Sequence, residues 1–129
     1  MILGIDYGRV FVGLSISSGT QAEGLMTVHR GEAVSRIGII CNHEQIDRIV
    51  IGIPEGKMKV EVEQFGKELR EKLEKPIVYF DETLTSKHAQ EVLHLVGMTR
   101  KKKQLREHVV AATLILQSYL DDQKTHETG

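Results

Sequence analysis

Two kinds of hydrophobic periodicity follow one another along this chain, and their order leaves few folds open. Met1 to Asp6 is a short apolar run that ends on an acid, with Gly8 just beyond it. Val10 to Ser17 is β-branched and apolar, carrying Val10, Phe11, Val12, Leu14 and Ile16, and Leu25 to Val28 reads as a short third strand after a Gly19–Gly24 loop. No helical pattern separates the three runs, so an antiparallel meander is expected, with Tyr7-Gly8-Arg9 as its first turn. From Ala33 onward the period changes. Ala33, Ile37, Ile40 and Cys41 share a helical face, and Asp47 to Pro54 is a strand stopped by proline. Val62, Phe65, Leu69 and Leu73 then repeat at helical spacing, with Lys57, Glu61, Glu63, Lys67, Glu68, Arg70 and Glu71 as the wet face.

Pro76 to Phe80 is the fifth strand, closing on Asp81-Glu82. Thr83 and Thr85 open a predicted helix with Ala89, Val92, Leu93 and Val96 inward and Gly97 as its stop. Leu105, Val109, Ala112, Leu116 and Leu120 form the last helical stripe, widened by Ala111 and Ile115, and the residues from Asp121 on are polar. The order is β-β-β-α-β-α-β-α-α. Strands that alternate with helices are expected to be parallel, so the prediction is an α/β fold: a mixed five-stranded sheet with helices on both faces. One domain over residues 1–122 and a polar tail over 123–129 complete the expected layout.

Composition narrows the chemistry. The 129 residues are 40% hydrophobic and 27% charged, an ordinary globular balance. A net charge of −1 supplies no global attraction for a polyanion, so any nucleic-acid site has to be a local patch. One cysteine excludes an internal disulfide and a paired-cysteine zinc site. The start, MILGIDYG, lacks the basic and apolar regions of a signal peptide, and no apolar run approaches the roughly 20 residues that span a bilayer. A soluble, cytoplasmic setting with no membrane partner is expected.

Asp6 and the Asp81-Glu82 pair each close a strand, and in a parallel arrangement those ends point the same way. Each has a bland reading, Asp6 as a turn residue and Asp81 or Glu82 as a helix cap. Together they have a sharper one. Carboxylates converging from separate strand ends repel unless a cation neutralises them, and hard oxygens select Mg²⁺ or Mn²⁺.

Ile5-Asp6-Tyr7-Gly8, Ile49-Val50-Ile51-Gly52-Ile53-Pro54, Asp81-Glu82-Thr83-Leu84-Thr85-Ser86 and Val109 to Leu120 resemble, in order and spacing, the YqgF (RuvX) family pattern of GIDYG, IVVGLP, DERLTT and DAxAAxxILQxYL. That resemblance implies a ribonuclease H-like fold. It also implies a nuclease for Holliday-junction resolution or pre-ribosomal RNA 5′-end maturation, acting on branched DNA or RNA. Asp6 and Glu82 would be its catalytic metal ligands, with Asp81 a lesser candidate, and the metal would activate water for in-line attack on a phosphodiester. Three positions depart from the pattern. Phe11 stands where an Arg is expected, Thr83 replaces the Arg of DERLTT, and His108 replaces the acid that opens the last helix. Glu107 is one residue earlier, which on a helix turns a side chain by about 100°. His108 or Glu107 is the candidate third corner, and His108 also reads as an ordinary polar residue of a first helical turn.

Arg100, Lys101, Lys102 and Lys103, with Arg106 one turn on, form the densest basic run. They are either a solvated loop or, with Arg9, contacts to a phosphate backbone. Tyr7 and Phe11 are the aromatics nearest the acids, and Phe11 also reads as core. Two other readings stand beside the nuclease: a non-catalytic relative that binds nucleic acid or a ribosomal partner, and an ATPase lobe of the sugar-kinase type, for which 129 residues supply no second lobe. A junction resolvase would act as a symmetric homodimer.

Overall fold

A computed structural model describes residues 1–82 and 100–128, the side chains of 100–104 and 125–128 excepted. β1 (Ile2–Asp6), β2 (Phe11–Ser17) and β3 (Ala22–His29) come first, then a 3₁₀ turn (Arg30–Glu32) and α1 (Ala33–His43). β4 (Arg48–Ile53), α2 (Met58–Leu73), β5 (Ile77–Asp81) and the long α3 (Arg100–Thr128) follow. The helix expected over Thr83 to Gly97 lies outside the described residues. The strands form one sheet in the order β3-β2-β1-β4-β5. β1 pairs antiparallel with β2 and β2 with β3, whereas β1–β4 and β4–β5 are parallel. The mixed five-stranded sheet expected from the periodicities is therefore present, with the meander at one side and the crossover strands at the other.

Strand alternation divides the sheet into two faces. Leu3 and Ile5, Val12, Leu14 and Ile16, and Ile49 and Ile51 point to one side, where Ile37 and Cys41 of α1 and Val62, Phe65 and Leu69 of α2 close the main core. The residues of the other parity are small over much of the sheet: Gly4, Gly13, Ser15, Gly24 and Gly52. α3 lies on that face, packing Ala112, Ile115, Leu116, Tyr119 and Leu120 against Ala22, Val50 and Phe80. A Cβ on Gly4 would sit 2.8 Å from Leu116 Cβ, and one on Gly13 would run into the His108 carbonyl group. Only glycine lets a helix backbone come so near a strand.

Three side-chain bonds fix the rotation of α3. Ser15 Oγ donates to the Ala112 carbonyl at 2.7 Å, Thr27 Oγ1 to the Leu105 carbonyl at 2.6 Å, and Arg48 Nη1 to Tyr119 Oη at 2.7 Å. The Ala22 amide also donates to Gln117 Oε1 at 2.8 Å. Two boundaries differ from the sequence expectation. β3 begins at Ala22 rather than Leu25, because Ala22 and Gly24 are small to seat α3, and a register shift at Leu14/Ser15 accommodates Leu25. α3 continues to Thr128, through residues read as a polar tail.

Candidate active site

Alternation places Asp6 on the same face as Gly4, since both are even positions of β1. Glu82 has the parity of Phe80, whose side chain packs with the α3 residues. The ends of β1 and β5, one on each side of β4, thus direct two carboxylates to the α3 side of the sheet edge. Gly52 of β4 makes room between them. A Cβ there would lie 3.0 Å from both Cγ and Oε1 of Glu82. That clearance is the physical use of a glycine near the end of β4.

α3 brings in the third group. His108 Nδ1 lies 2.9 Å from Asp6 Oδ2, with the two side chains 28% and 15% exposed. A carboxylate only accepts, so His108 donates through Nδ1, leaving Nε2 at the other end of the ring. The bond to Asp6 raises the His108 pKa above its ordinary value, against the lowering effect of burial. Glu82 is pushed up to about 7, first by burial, then by the Asp6 charge and a hydrogen bond with Asp6, with Asp81 adding to it. Asp6 is the hub: it meets His108 from α3 and Glu82 from just beyond β5.

Asp81 is exposed at the end of β5 and acts on Glu82 through charge. Glu107 lines a neighbouring cavity with His108 and adds its charge to the raising of the His108 pKa. Among the described residues, no group of three or more His, Cys, Asp and Glu side chains is arranged to hold a metal ion. Arg106 is exposed on α3, and Arg100, Lys101, Lys102 and Lys103 begin that helix, with their side chains outside the described set.

Arg9 lines the same cavity as Glu107 and His108 and also reaches α2. Its Nε donates to Glu61 Oε2 at 3.0 Å, while Tyr7 Oη donates to Glu61 Oε1 at 2.7 Å. Arg30 Nε donates to Tyr7 Oη at 3.1 Å, and its guanidinium lies 4.6 Å from the Phe65 ring centroid. These contacts hold the Glu61 carboxyl below its usual range, the Tyr7 bond first. Sequence reasoning assigned Glu61 to the wet face of α2 and missed it. Its helical phase matched that of a solvated residue, and only the packing of α2 under the β1–β2 turn reveals its role.

A family described as RuvX, Holliday junction resolvase, matches residues 1–122. A relative from Caldanaerobacter subterraneus, provisionally named a pre-16S rRNA nuclease, is 38% identical over 95% of this chain and 97% of its own. One of the same name from Bacteroides fragilis is 36% identical over the same shares. Among solved structures, Thermus thermophilus RuvC with a Holliday junction substrate superposes with a TM-score of 0.62 at 12% identity, covering 97% of this chain and 95% of that one. Fowlpox virus resolvase with Holliday junction DNA gives 0.61 at 12% identity, covering 95% and 97%. The structural likenesses establish a shared resolvase-type fold, and no described helix is long and apolar enough to cross a membrane. With a family match over nearly the whole chain and relatives above one-third identity, this chain belongs to the RuvX (YqgF) family.

Proposed function

We propose that this chain is a divalent-metal-dependent nuclease that hydrolyses phosphodiester bonds in structured nucleic acid, with the 5′ end of a ribosomal RNA precursor as its first substrate. The observation that carries the reading is the meeting of Asp6 and Glu82 on one sheet edge, where burial first and then the Asp6 charge push Glu82 up to about 7. The donor set fits a hard cation. Two carboxylates offer oxygens, and the repulsion that now favours a proton on Glu82 is what an added positive charge relieves. Asp6 and Glu82 would hold the ion, with Asp81 at the margin. A bound divalent cation would supply charge stabilisation on the phosphoryl oxygens and a more acidic water.

The chain's own residues do the rest. His108 holds the Asp6 carboxylate in one orientation through Nδ1 and presents its other nitrogen as a proton carrier. Arg9, braced by Glu61, and the Arg100–Arg106 run would contact phosphates on either side. The RNA precursor is placed before branched DNA because the relatives above one-third identity carry the ribosomal name. The resolvases that share the fold are only 12% identical. The reading includes a cytoplasmic setting, one working domain over residues 1–122, and a symmetric homodimer if branched DNA is the substrate. The test is cleavage of a 5′-extended ribosomal RNA fragment and of a four-way junction, with Mg²⁺ or Mn²⁺, by wild type and Asp6→Asn. Equal cleavage by the two proteins overturns the assignment.

His108 in place of an acid supports a second reading, a relative that binds nucleic acid or a ribosomal partner without cutting it. Under that reading RNA binds in a salt-sensitive way while millimolar Mg²⁺ leaves the protein's melting temperature unmoved.

A further inference from the structure

Of the six aromatic residues in the chain, five are committed elsewhere. Tyr7 is 8% exposed, donates to Glu61 and packs on Phe65 with ring centroids 5.0 Å apart. Phe65, Phe80 and Tyr119 are buried, and Tyr79 leans over Gly66 on α2, on the other face of the sheet. Phe11 differs. It has the parity of Gly13, so it stands on the face that carries Asp6, and it is only partly buried at the first position of β2. Its ring lies 6.3 Å from the His108 ring and 5.0 Å from that of His29, centroid to centroid.

Beside it opens a cavity of about 410 Å³, lined by Gly8, Arg9, Val10, Phe11, Glu107 and His108. That volume falls within the usual span of small-molecule sites. Its wall includes the His108 imidazole, whose Nδ1 is bonded to Asp6, so an occupant lies one side chain away from that carboxylate. Its chemistry is sorted by side chain. Phe11 and Val10, the latter 63% exposed, are apolar surfaces left at a wet edge. Arg9 is a cation with its Nε already braced by Glu61, which leaves the other N–H groups as donors. Glu107 is an acceptor for the amino groups of bases and repels phosphate, so a strand backbone belongs on the Arg9 side.

We propose that this cavity is a subsite for one unstacked nucleobase of a single-stranded segment, with the Phe11 ring as its stacking surface and the Arg9 guanidinium on the adjoining phosphate. A base inside a duplex has its faces covered by its neighbours, whereas a single strand can turn one outward. The subsite deepens the nuclease reading and rests on it. It requires an unpaired nucleotide next to the bond that is cut.

Binding is measured with the full chain in EDTA, where no cleavage occurs, using labelled 12-nucleotide single strands of RNA and of DNA and a 12-base-pair duplex. Phe11→Leu keeps the apolar volume and removes the π-face. It is expected to weaken single-strand binding by roughly 5- to 150-fold, the range for one lost base stack, and to change duplex binding less than twofold. The chain has no tryptophan, so Phe11→Trp reports from that position alone. It should retain single-strand affinity, and its emission should be quenched as the strand saturates. Unchanged single-strand affinity in Phe11→Leu, absence of single-strand binding by wild type, or Trp emission unmoved at saturation each overturn the subsite. A protein that binds strands through Phe11 and cuts nothing with Mg²⁺ or Mn²⁺ keeps the subsite and loses the nuclease reading. One that cuts, with affinity indifferent to Phe11, does the reverse.

Discussion

Replacing Gly13 with alanine tests how the third corner of the site is held. Gly13 of β2 is the pairing partner of Asp6. A Cβ added there would overlap the His108 carbonyl carbon and oxygen and would lie 2.9 Å from His108 Cβ. Carbon atoms pack at roughly 3.5–4.0 Å, so that last contact alone is about 1 Å short. The obstruction is helix backbone, which no rotamer change can move aside, so α3 must lift from the sheet. Overpacking of this kind costs about 1–3 kcal/mol, and a backbone clash belongs at the top of that span. For a chain of this size the melting temperature should fall by roughly 10 °C. The lift also draws His108 away from Asp6, so the imidazole pKa should drop back toward its ordinary value.

Urea denaturation measures the first effect and an NMR titration of the His108 ring the second. Gly31→Ala is the matched control: its Cβ would meet nothing within 4 Å, so stability should stay within about 0.5 kcal/mol. Gly13→Ala with wild-type stability and a His108 ring that titrates unchanged would refute the docking of α3 described above.

His108→Asp removes the donor to Asp6 and adds a third carboxylate. The cation-free protein should lose about 2 kcal/mol and gain a larger upward melting shift from Mn²⁺ than wild type; equal shifts would remove position 108 from the site. The pH dependence follows from two raised pKa values of the coupled cluster. Glu82 takes up its proton more readily folded than unfolded, so its contribution is present below its ordinary 4.5 and falls as pH rises to about 7. The loss is at most about 3 kcal/mol. His108, also raised, contributes fully below 6.5 and loses that contribution as pH climbs through its folded pKa. Both act in one direction, so denaturation in EDTA should show stability declining from pH 5 to 8, and saturating Mn²⁺ should flatten the decline; a rise over that range would contradict the cluster.

The described strands and helices were legible because period two and period 3.6 are local properties of the chain. Leu3 and Ile5 alternate with Gly4 and Asp6, and Val12, Leu14 and Ile16 alternate with Gly13 and Ser15. Each reads correctly without knowledge of anything distant. The same alternation already put Asp6 on the small-residue face. Where local reading erred, a distant partner had chosen the residue. Ala22 and Gly24 look like loop because α3 needs them small, and Glu61 looks solvated because Tyr7 and Arg9 meet it from 54 and 52 residues away.

The candidate site divides in the same way. Motif order was enough to name Asp6, Glu82 and the departure at His108. It left open whether the imidazole replaces an acid or is an ordinary polar residue of a first helical turn. That choice depends on how α3 is rotated, and the rotation is set by Ser15, Thr27 and Arg48 bonding to the helix across the sheet. Phe11 needed the same information, since an aromatic at the start of a strand is core or surface according to what covers it. Chemistry at this edge was written into the residue types, and its geometry came from docking a helix on glycines, a contact between segments about 95 residues apart that no local pattern encodes.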